Sequence, residues 1–423
     1  MEFCVLTEEE FKKFSTIHPQ ESFFQTVETG KLRESYGSII HYLGVKKGNE
    51  IIAGGMFSET PCMFGKKRLY APQGFLIDYD NYEVLECFTK GLLNYGKKIK
   101  AMFVKCDPNV IYRLRDGDGN IINEKPEGEV AFNNLKKLGY KHFGFTKDFR
   151  FTLSRWNFSV ELNKDYEELK SGFSKSTRKN IDNAYKNGVS VRKSSIDDIE
   201  ELSNLFQATA DRRGFNNPRD CEYYKRMYKY LGDLMQFYIA HVDFNIYKDN
   251  LTKMLEEEKN NNNDIKKKME SDMVGTKLKN GLETSNKRIE KLENDLKHAE
   301  DLINNYPNGK DIGGLLSLKS GNEYVTLTSG TLTEFKEFMP KYVMYNEHIL
   351  DAYRFGMKYV NFFGISGNFD KKDPVYGVYE FKRGFNGNVI EMVGEFTLKV
   401  SNTYYIYNMF RHLKILLRNI IKR

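Results

Sequence analysis

The sequence predicts a mixed α/β fold of two similar lobes, the second carrying an inserted helical hairpin. Three observations support this: a length of 423 residues, an order of elements that occurs twice, and a heptad-spaced stretch near the middle. That length exceeds one ordinary hydrophobic core and suits two or three folding units. With 40 % apolar and 14 % aromatic residues, the chain belongs among folded globular proteins and not disordered ones.

In the first half, Glu50–Phe57 and Lys67–Ile77 read as strands. The apolar spacing of Leu85, Phe88, Leu92 and Leu93 predicts a helix over Tyr82–Tyr95, and Ala101–Lys105 is an apolar strand delivering Asp107 and Pro108 to its end. Val130–Leu138 reads as a helix closed by Gly139. The order then returns. Gly313–Leu318 and Glu323–Leu327 are strands, Val343–Phe355 is a helix closed by Gly356, and Tyr359–Phe363 is a strand leading into Gly364–Ile365–Ser366–Gly367. From about 246 to 306 the texture changes. Leu278, Leu282, Ser285, Ile289, Leu292, Leu296, Ala299 and Ile303 alternate spacings of four and three, and Leu251, Leu255, Glu258, Asn262, Ile265 and Met269 follow the same rhythm less cleanly. The expected structure is an antiparallel coiled-coil hairpin with arms roughly 40 Å long. Tyr404–Arg423 reads as an amphipathic helix that packs on the body or rests on an anionic membrane surface.

Five cysteines (Cys4, Cys62, Cys87, Cys106, Cys221) stand singly, without a CxxC pair, so a disulfide framework or a thiolate metal site is not expected. Met1–Glu10 is acidic and lacks an apolar run, and no stretch reaches the roughly 18 apolar residues of a spanning helix. A soluble protein of a reducing, cytoplasmic compartment is expected. The net charge of +7 is a mild bias toward anionic partners.

A set of short motifs occurs in order along almost the whole chain. Phe24–Gln25–Thr26 comes first, then Gly74–Phe75–Leu76–Ile77–Asp78–Tyr79, Asp107–Pro108 and Ser174–Lys175–Ser176–Thr177–Arg178–Lys179–Asn180. Asp211–Arg212–Arg213–Gly214–Phe215, Arg219–Asp220, the charged hairpin, Phe363–Gly364–Ile365–Ser366–Gly367 and Phe381–Lys382–Arg383–Gly384–Phe385 follow. Together these resemble the Fem family of nonribosomal peptidyl transferases (the FemA, FemB, FemX and MurM types). The resemblance implies two acetyltransferase-like lobes. It also implies transfer of Gly, Ser or Ala from aminoacyl-tRNA to the stem-peptide amine, or a growing bridge, of lipid II or a related muropeptide precursor. No metal or organic cofactor is expected, and peripheral contact with the inner membrane face is. The expected boundaries are 1–150 for the first lobe, with 400–423 packing on it, 151–399 for the second, and 246–306 for the hairpin.

The resemblance also assigns residues. Lys382 would stabilise charge near the acyl ester, where an ammonium suits an oxyanion or a departing ribose oxygen; the duller reading is a solvated lysine beside a strand. Asp107 would accept a proton or hold the acceptor ammonium, against a turn-forming Asp before Pro108. Arg219 and Tyr223, four apart and on one helix face, would grip the precursor's diphosphate. Lys31 would reach the same phosphates from the other lobe, a role Arg33 could fill by a shift of two. Lys175, Arg178 and Lys179, at a helix start, are the candidate tRNA-backbone contacts. For the hairpin, tRNA contact and a homodimer-forming coiled coil stay equally open. Two rival functions remain, an acyl-CoA N-acyltransferase and a non-catalytic binder of tRNA or wall precursors. The chain has no Gln/Arg-x-x-Gly-x-Gly/Ala run of the kind that seats a coenzyme pyrophosphate.

Overall fold

The computed structural model describes residues 1–148, 153–213, 219–271 and 275–410. Gly214 and Phe215 of the fifth motif and the end of the expected C-terminal helix lie outside them.

Fifteen strands form two sheets among the described residues. The first runs β1 (Glu2–Val5), β2 (Ile39–Lys47), β3 (Glu50–Pro61), β4 (Lys67–Gln73), β5 (Ala101–Pro108), β15 (Phe396–Lys399), β7 (Tyr140–His142). The second runs β6 (Ile111–Arg115), β14 (Asn388–Met392), β8 (Trp156–Glu161), β13 (Tyr359–Gly364), β12 (Glu323–Thr331), β11 (Lys310–Ser320), β10 (Met235–Val242), β9 (Val189–Ser194). Most pairs are antiparallel. The exceptions, β4 with β5 and β12 with β13, are the pairs that a helix must bridge. Those helices are α3 (Tyr82–Lys98) and α11 (Pro340–Arg354), so the repeated strand, strand, helix, strand order has a direct structural counterpart. Gly139 and Gly356, expected as helix stops, have φ of +88° and +68°.

The first core lies between the first sheet and α3, where Val84, Leu85, Phe88 and Leu92 meet Leu43, Phe57, Val104 and Cys106. The second lies between the second sheet and α6 (Lys175–Lys186), α11 and α12 (Tyr376–Arg383), with Phe158, Ile181, Tyr345, Phe362 and Phe385. A third joins the lobes. Phe23, just before α2 (Val27–Glu34), and Leu32, within it, pack with Leu202 and Phe206 of α7 (Ile199–Arg213) and Tyr224 and Met227 of α8 (Cys221–Leu231). Helices α1 (Glu8–Ile17), α4 (Glu129–Lys137) and α5 (Tyr166–Ser171) complete the lobes.

The expected boundary at 150 does not divide the sheets. β6, two residues after β5, is the edge strand of the second sheet, and β15 returns the chain from β14 into the first, between β5 and β7. Each lobe therefore lends the other a strand. Hydrogen bonding explains why: β15 pairs with β5 on one side and β7 on the other, covering edges that would otherwise be open. After β15, residues 403–410 are helical and lay Tyr404 and Tyr407 on Phe103 at ring distances of 5.4 and 5.3 Å.

Between β10 and β11 stand α9 (Phe244–Ser271) and α10 (Thr276–Asn305). Ion pairs Lys248–Glu300 (3.0 Å) and Lys259–Glu293 (3.0 Å) run in opposite sequence directions, as they must for antiparallel neighbours. Leu251, Leu292 and Ala299 are buried between the helices. Further out the seam is polar: Ser285 donates to Glu258 (2.7 Å), and Asn262 donates to Ser285 (3.1 Å) and Asn286 (2.8 Å).

The motif residue Gln25 is fully buried as a joint between strands. Its amide donates to the carbonyls of Pro72 (2.8 Å) and Met56 (3.2 Å), and its oxygen accepts from the Met56 N–H (2.8 Å). Gln25→Ala leaves three buried backbone groups unpaired and is expected to lower unfolding stability by about 3 kcal/mol, read as a drop in urea midpoint at unchanged slope.

Candidate functional site

The chain passes between the sheets after β5, after β7 and after β14, and the described residues of these crossings are bonded together. Val393 N–H donates to Val110 O (2.9 Å), Phe143 N–H to Glu395 O (2.9 Å) and Met392 N–H to Arg155 O (2.7 Å). A polar centre sits where they meet.

Its middle is Asp107. Period two along β5 turns Val104 and Cys106 into the core, and Phe103, Lys105 and Asp107 to the opposite face. Tyr70, from the parallel neighbour β4, donates its hydroxyl to Asp107 Oδ2 at 2.6 Å. Lys105 pairs with Glu395 at 2.6 Å, and its ammonium lies 4.9 Å from the Tyr70 ring. Burial pushes the Asp107 carboxyl up to about 6, with Glu395 adding to the rise while Lys105 and the Tyr70 hydrogen bond oppose it. A carboxyl in that range takes up or releases a proton near neutrality. The reading of Asp107 as a turn-forming residue before Pro108 does not hold: it lies inside β5, which includes Pro108, and is 9 % exposed.

A groove of about 380 Å³ runs along this face of the sheet, from Phe103, Tyr404 and Tyr407 past Arg68 and Arg33 to Tyr70, Lys105 and Glu395. Arg33 enters it, donating to Ser58 Oγ at 3.0 Å and lying 5.8 Å from the Tyr70 ring. Lys31 does not: it is exposed and pairs with Glu8 at 2.7 Å. Of the two cations considered from the sequence, only Arg33 enters the groove, because residues two apart on α2 fall about 200° apart around the helix. Across the lobe junction, the Arg219 guanidinium lies 4.8 Å over Tyr223, whose ring stacks on Tyr36 at 6.1 Å. Arg226, on the same helix, covers Tyr36 at 4.7 Å and donates to Ser35 O at 3.0 Å. The structure thus brings Arg33, Arg219 and Tyr223 to one junction.

Lys382 belongs to the second lobe. It lies in the last turn of α12, is 6 % exposed, and its ammonium donates to the carbonyls of Gly364 (2.7 Å) and Phe363 (3.1 Å). The solvated-lysine reading fails here. Those carbonyls end β13, where Phe363 has φ of +60°. β12 and β13 pair only over Glu323–Val325 and Tyr359–Asn361; beyond this a cleft of about 400 Å³ opens, lined by Thr326, Thr328, Tyr345, Phe362 and Lys382. Ser154 lines both this cleft and the cavity beside Asp107, so the two centres adjoin.

The third set lies further along. Ser174 caps α6 by accepting from Thr177 N–H (3.1 Å), and its own N–H donates to Gly384 O (2.9 Å), which ties this motif to the one holding Lys382. Gly384 must be glycine, since a Cβ there would sit 2.2 Å from Thr177 Oγ1. Lys175 and Lys179 are exposed, while Arg178 donates to Ser171 O.

Sequence reading missed Tyr70, Lys105 and Glu395. One signal was present: in the apolar strand AMFVKCDP, Lys105 and Asp107 are two apart, which marks one polar face. Glu395 carried none, because β15 joins the first sheet from the far end of the chain. Among the described residues no cluster of three or more His, Cys, Asp or Glu could hold a metal ion.

A two-sheet α/β chain with a buried carboxylate and a buried lysine in adjoining clefts has the layout of a group-transfer enzyme. Comparison with known proteins makes the class specific: residues 6–412 match the FemAB family, and the chain belongs to it. It is an aminoacyltransferase by class. Aminoacyltransferase FemB of Staphylococcus epidermidis is 30 % identical over 425 residues, covering 98 % of this chain and 99 % of that protein. Aminoacyltransferase FemA of Staphylococcus aureus is 28 % identical, covering 96 % and 97 %. Among solved structures, FemX superposes with a TM-score of 0.74 at 23 % identity, covering 97 % of this chain and 99 % of that one.

Proposed function

We propose that the chain transfers glycine, serine or alanine from an aminoacyl-tRNA to an amine of lipid II or a partly built bridge on it. The cavity beside Asp107 carries this reading: it shares Glu395 with the groove of the first sheet and Ser154 with the cleft of the second lobe, so an acceptor in the groove can reach a donor in the cleft through it. The acceptor lies in the groove of the first sheet, its diphosphate toward Arg33 and Arg219 and its amine toward Asp107. The aminoacyl ester lies in the cleft of the second lobe near Lys382. Asp107 takes one proton from the acceptor ammonium, and the freed nitrogen attacks the ester carbonyl. The oxyanion forms beside the Lys382 charge; as the C–O bond breaks, the ribose oxygen takes a second proton from nitrogen and an amide remains. Lys175 and Lys179 face the tRNA backbone, and the α9–α10 pair is a coiled-coil arm for the same ligand. The lobes are acetyltransferase-like, with ester replacing thioester in the splayed cleft.

The test is transfer of radiolabelled Gly, Ser or Ala from charged tRNA to lipid II, unmodified or extended by one residue. Product from one donor is expected; product from none, on either acceptor, would sink the reading. In the same assay Arg33→Ala is expected to raise the acceptor KM by about tenfold or more, as loss of a charge-assisted contact does, and Lys31→Ala to change it by less than about twofold. The reverse order would place the phosphates elsewhere.

A further inference from the structure

We infer that the end of the first sheet remote from Asp107 is a docking surface for an anionic lipid bilayer. Two neighbouring elements form it. One is the loop between β3 and β4, where Met63 and Phe64 are 40 % and 54 % exposed and Phe64 is held at φ of +60°, at the tip. The other is the helical residues 403–410, which pack on Phe103 through Tyr404 and Tyr407 and expose Tyr405, Ile406, Met409 and Phe410. Cys62, at the base of the loop, joins the cluster of Met102, Phe103, Tyr404 and Tyr407, so the elements share one footing. Scattered exposed apolar residues need no explanation, but a grouped set at a loop tip and on a helix does.

Charge supplies the partner. Topology puts the ends of β3 and β15 and the starts of β4, β5 and β7 at this same end, and with them a set of lysines. Lys66 follows the apolar tip, Lys98 and Lys100 precede β5, Lys141 lies in β7, and Lys399 ends β15 beside Tyr405. Lys67 N–H donates to Lys100 O (3.3 Å), which ties the β3–β4 loop to the turn before β5. Glu59, the nearby carboxylate, is buried and paired with Lys67 (2.8 Å) and His41 (3.0 Å). Aromatic and aliphatic side chains ringed by cations suit an anionic headgroup layer over hydrocarbon.

The groove gives the surface a purpose, and this step rests on the proposed function. It begins at Phe103, Tyr404 and Tyr407 beside the apolar elements and ends near Asp107, four residues or about 13 Å along β5. A lipid-linked acceptor could keep its chain in the bilayer while its diphosphate meets Arg33 and its amine meets Asp107.

The experiment is co-sedimentation of the full chain with vesicles of phosphatidylglycerol and phosphatidylcholine, or of phosphatidylcholine alone. The parent is expected to bind the anionic vesicles about tenfold more strongly. A Met63→Ser/Phe64→Ser variant and a Lys98→Glu/Lys100→Glu variant, with melting curves like the parent's, are each expected to lose about tenfold of that binding. Transfer to a lipid-free acceptor should be unchanged in both. Failure of the parent to bind anionic vesicles, or undiminished binding by both variants, overturns the proposal. So does a parent that forms a dimer through this face, with Met63→Ser/Phe64→Ser monomeric and the parent indifferent to lipid. Vesicle binding without transfer to any acceptor would count against the catalytic reading and leave the docking surface standing.

Discussion

Replacing Lys382 by methionine is expected to lower the turnover of aminoacyl transfer by about two to three orders of magnitude, with little change in acceptor KM. Removing one positioned group that meets charge developing in a transition state has this cost, and it falls on kcat because the ground-state ester carries no full charge to lose. Methionine keeps most of the volume of the buried stem, so the core of the second lobe around Phe362 and Phe385 is preserved. It cannot satisfy the carbonyls of Phe363 and Gly364, so stability should also fall, by about 1–3 kcal/mol. The two effects are separable. A variant that melts earlier but transfers at the parental rate would make Lys382 a structural pin of β13 and nothing more.

The second large effect is expected at Asp107, where two measurements move in opposite directions. Asp107→Asn should lower kcat/KM by about 10²–10⁴-fold through loss of the proton acceptor. In the parent, kcat/KM should fall about tenfold for each unit of pH below about 6, where the carboxyl is held. The stability sign follows from the same group. Its folded pKa lies above the ordinary 3.8, so the fold favours the neutral acid; that preference is fully present below about 3.8 and is lost as pH rises through about 6. At pH 8 the parent bears the cost of a buried anion, up to about 3 kcal/mol, which the neutral amide avoids. The variant should therefore unfold at higher urea than the parent at pH 8 and at about the same urea at pH 4. A variant less stable at pH 8 would mean that Lys105 and Tyr70 bind the carboxylate more firmly than burial opposes it.

Much of the architecture could be read from the order of residues, because the signals were local. Apolar spacing in α3 and α11, alternation in the strands, and glycines at 139 and 356 depend on neighbours within one or two turns, and they located the twice-occurring strand, strand, helix, strand unit. Motif order was sufficient for the family. It also marked Asp107, Arg219 and Lys382 as residues to examine, and Lys105 with Asp107 hinted at a polar strand face. Tertiary structure alone decided the rest. That Arg33 and not Lys31 enters the groove depends on how an eight-residue helix is rotated against the sheet, and no local pattern specifies that angle. That Lys382 is buried in a helix end depends on where β13 stops. Tyr70 and Glu395 reach Asp107 only because β4 lies parallel to β5 on one side and β15 returns from the far end of the chain on the other. Pairings of that kind are made by hydrogen bonds between strands well separated along the chain, β15 most of all, so the centre they build exists in the folded sheet and in no single stretch of the sequence.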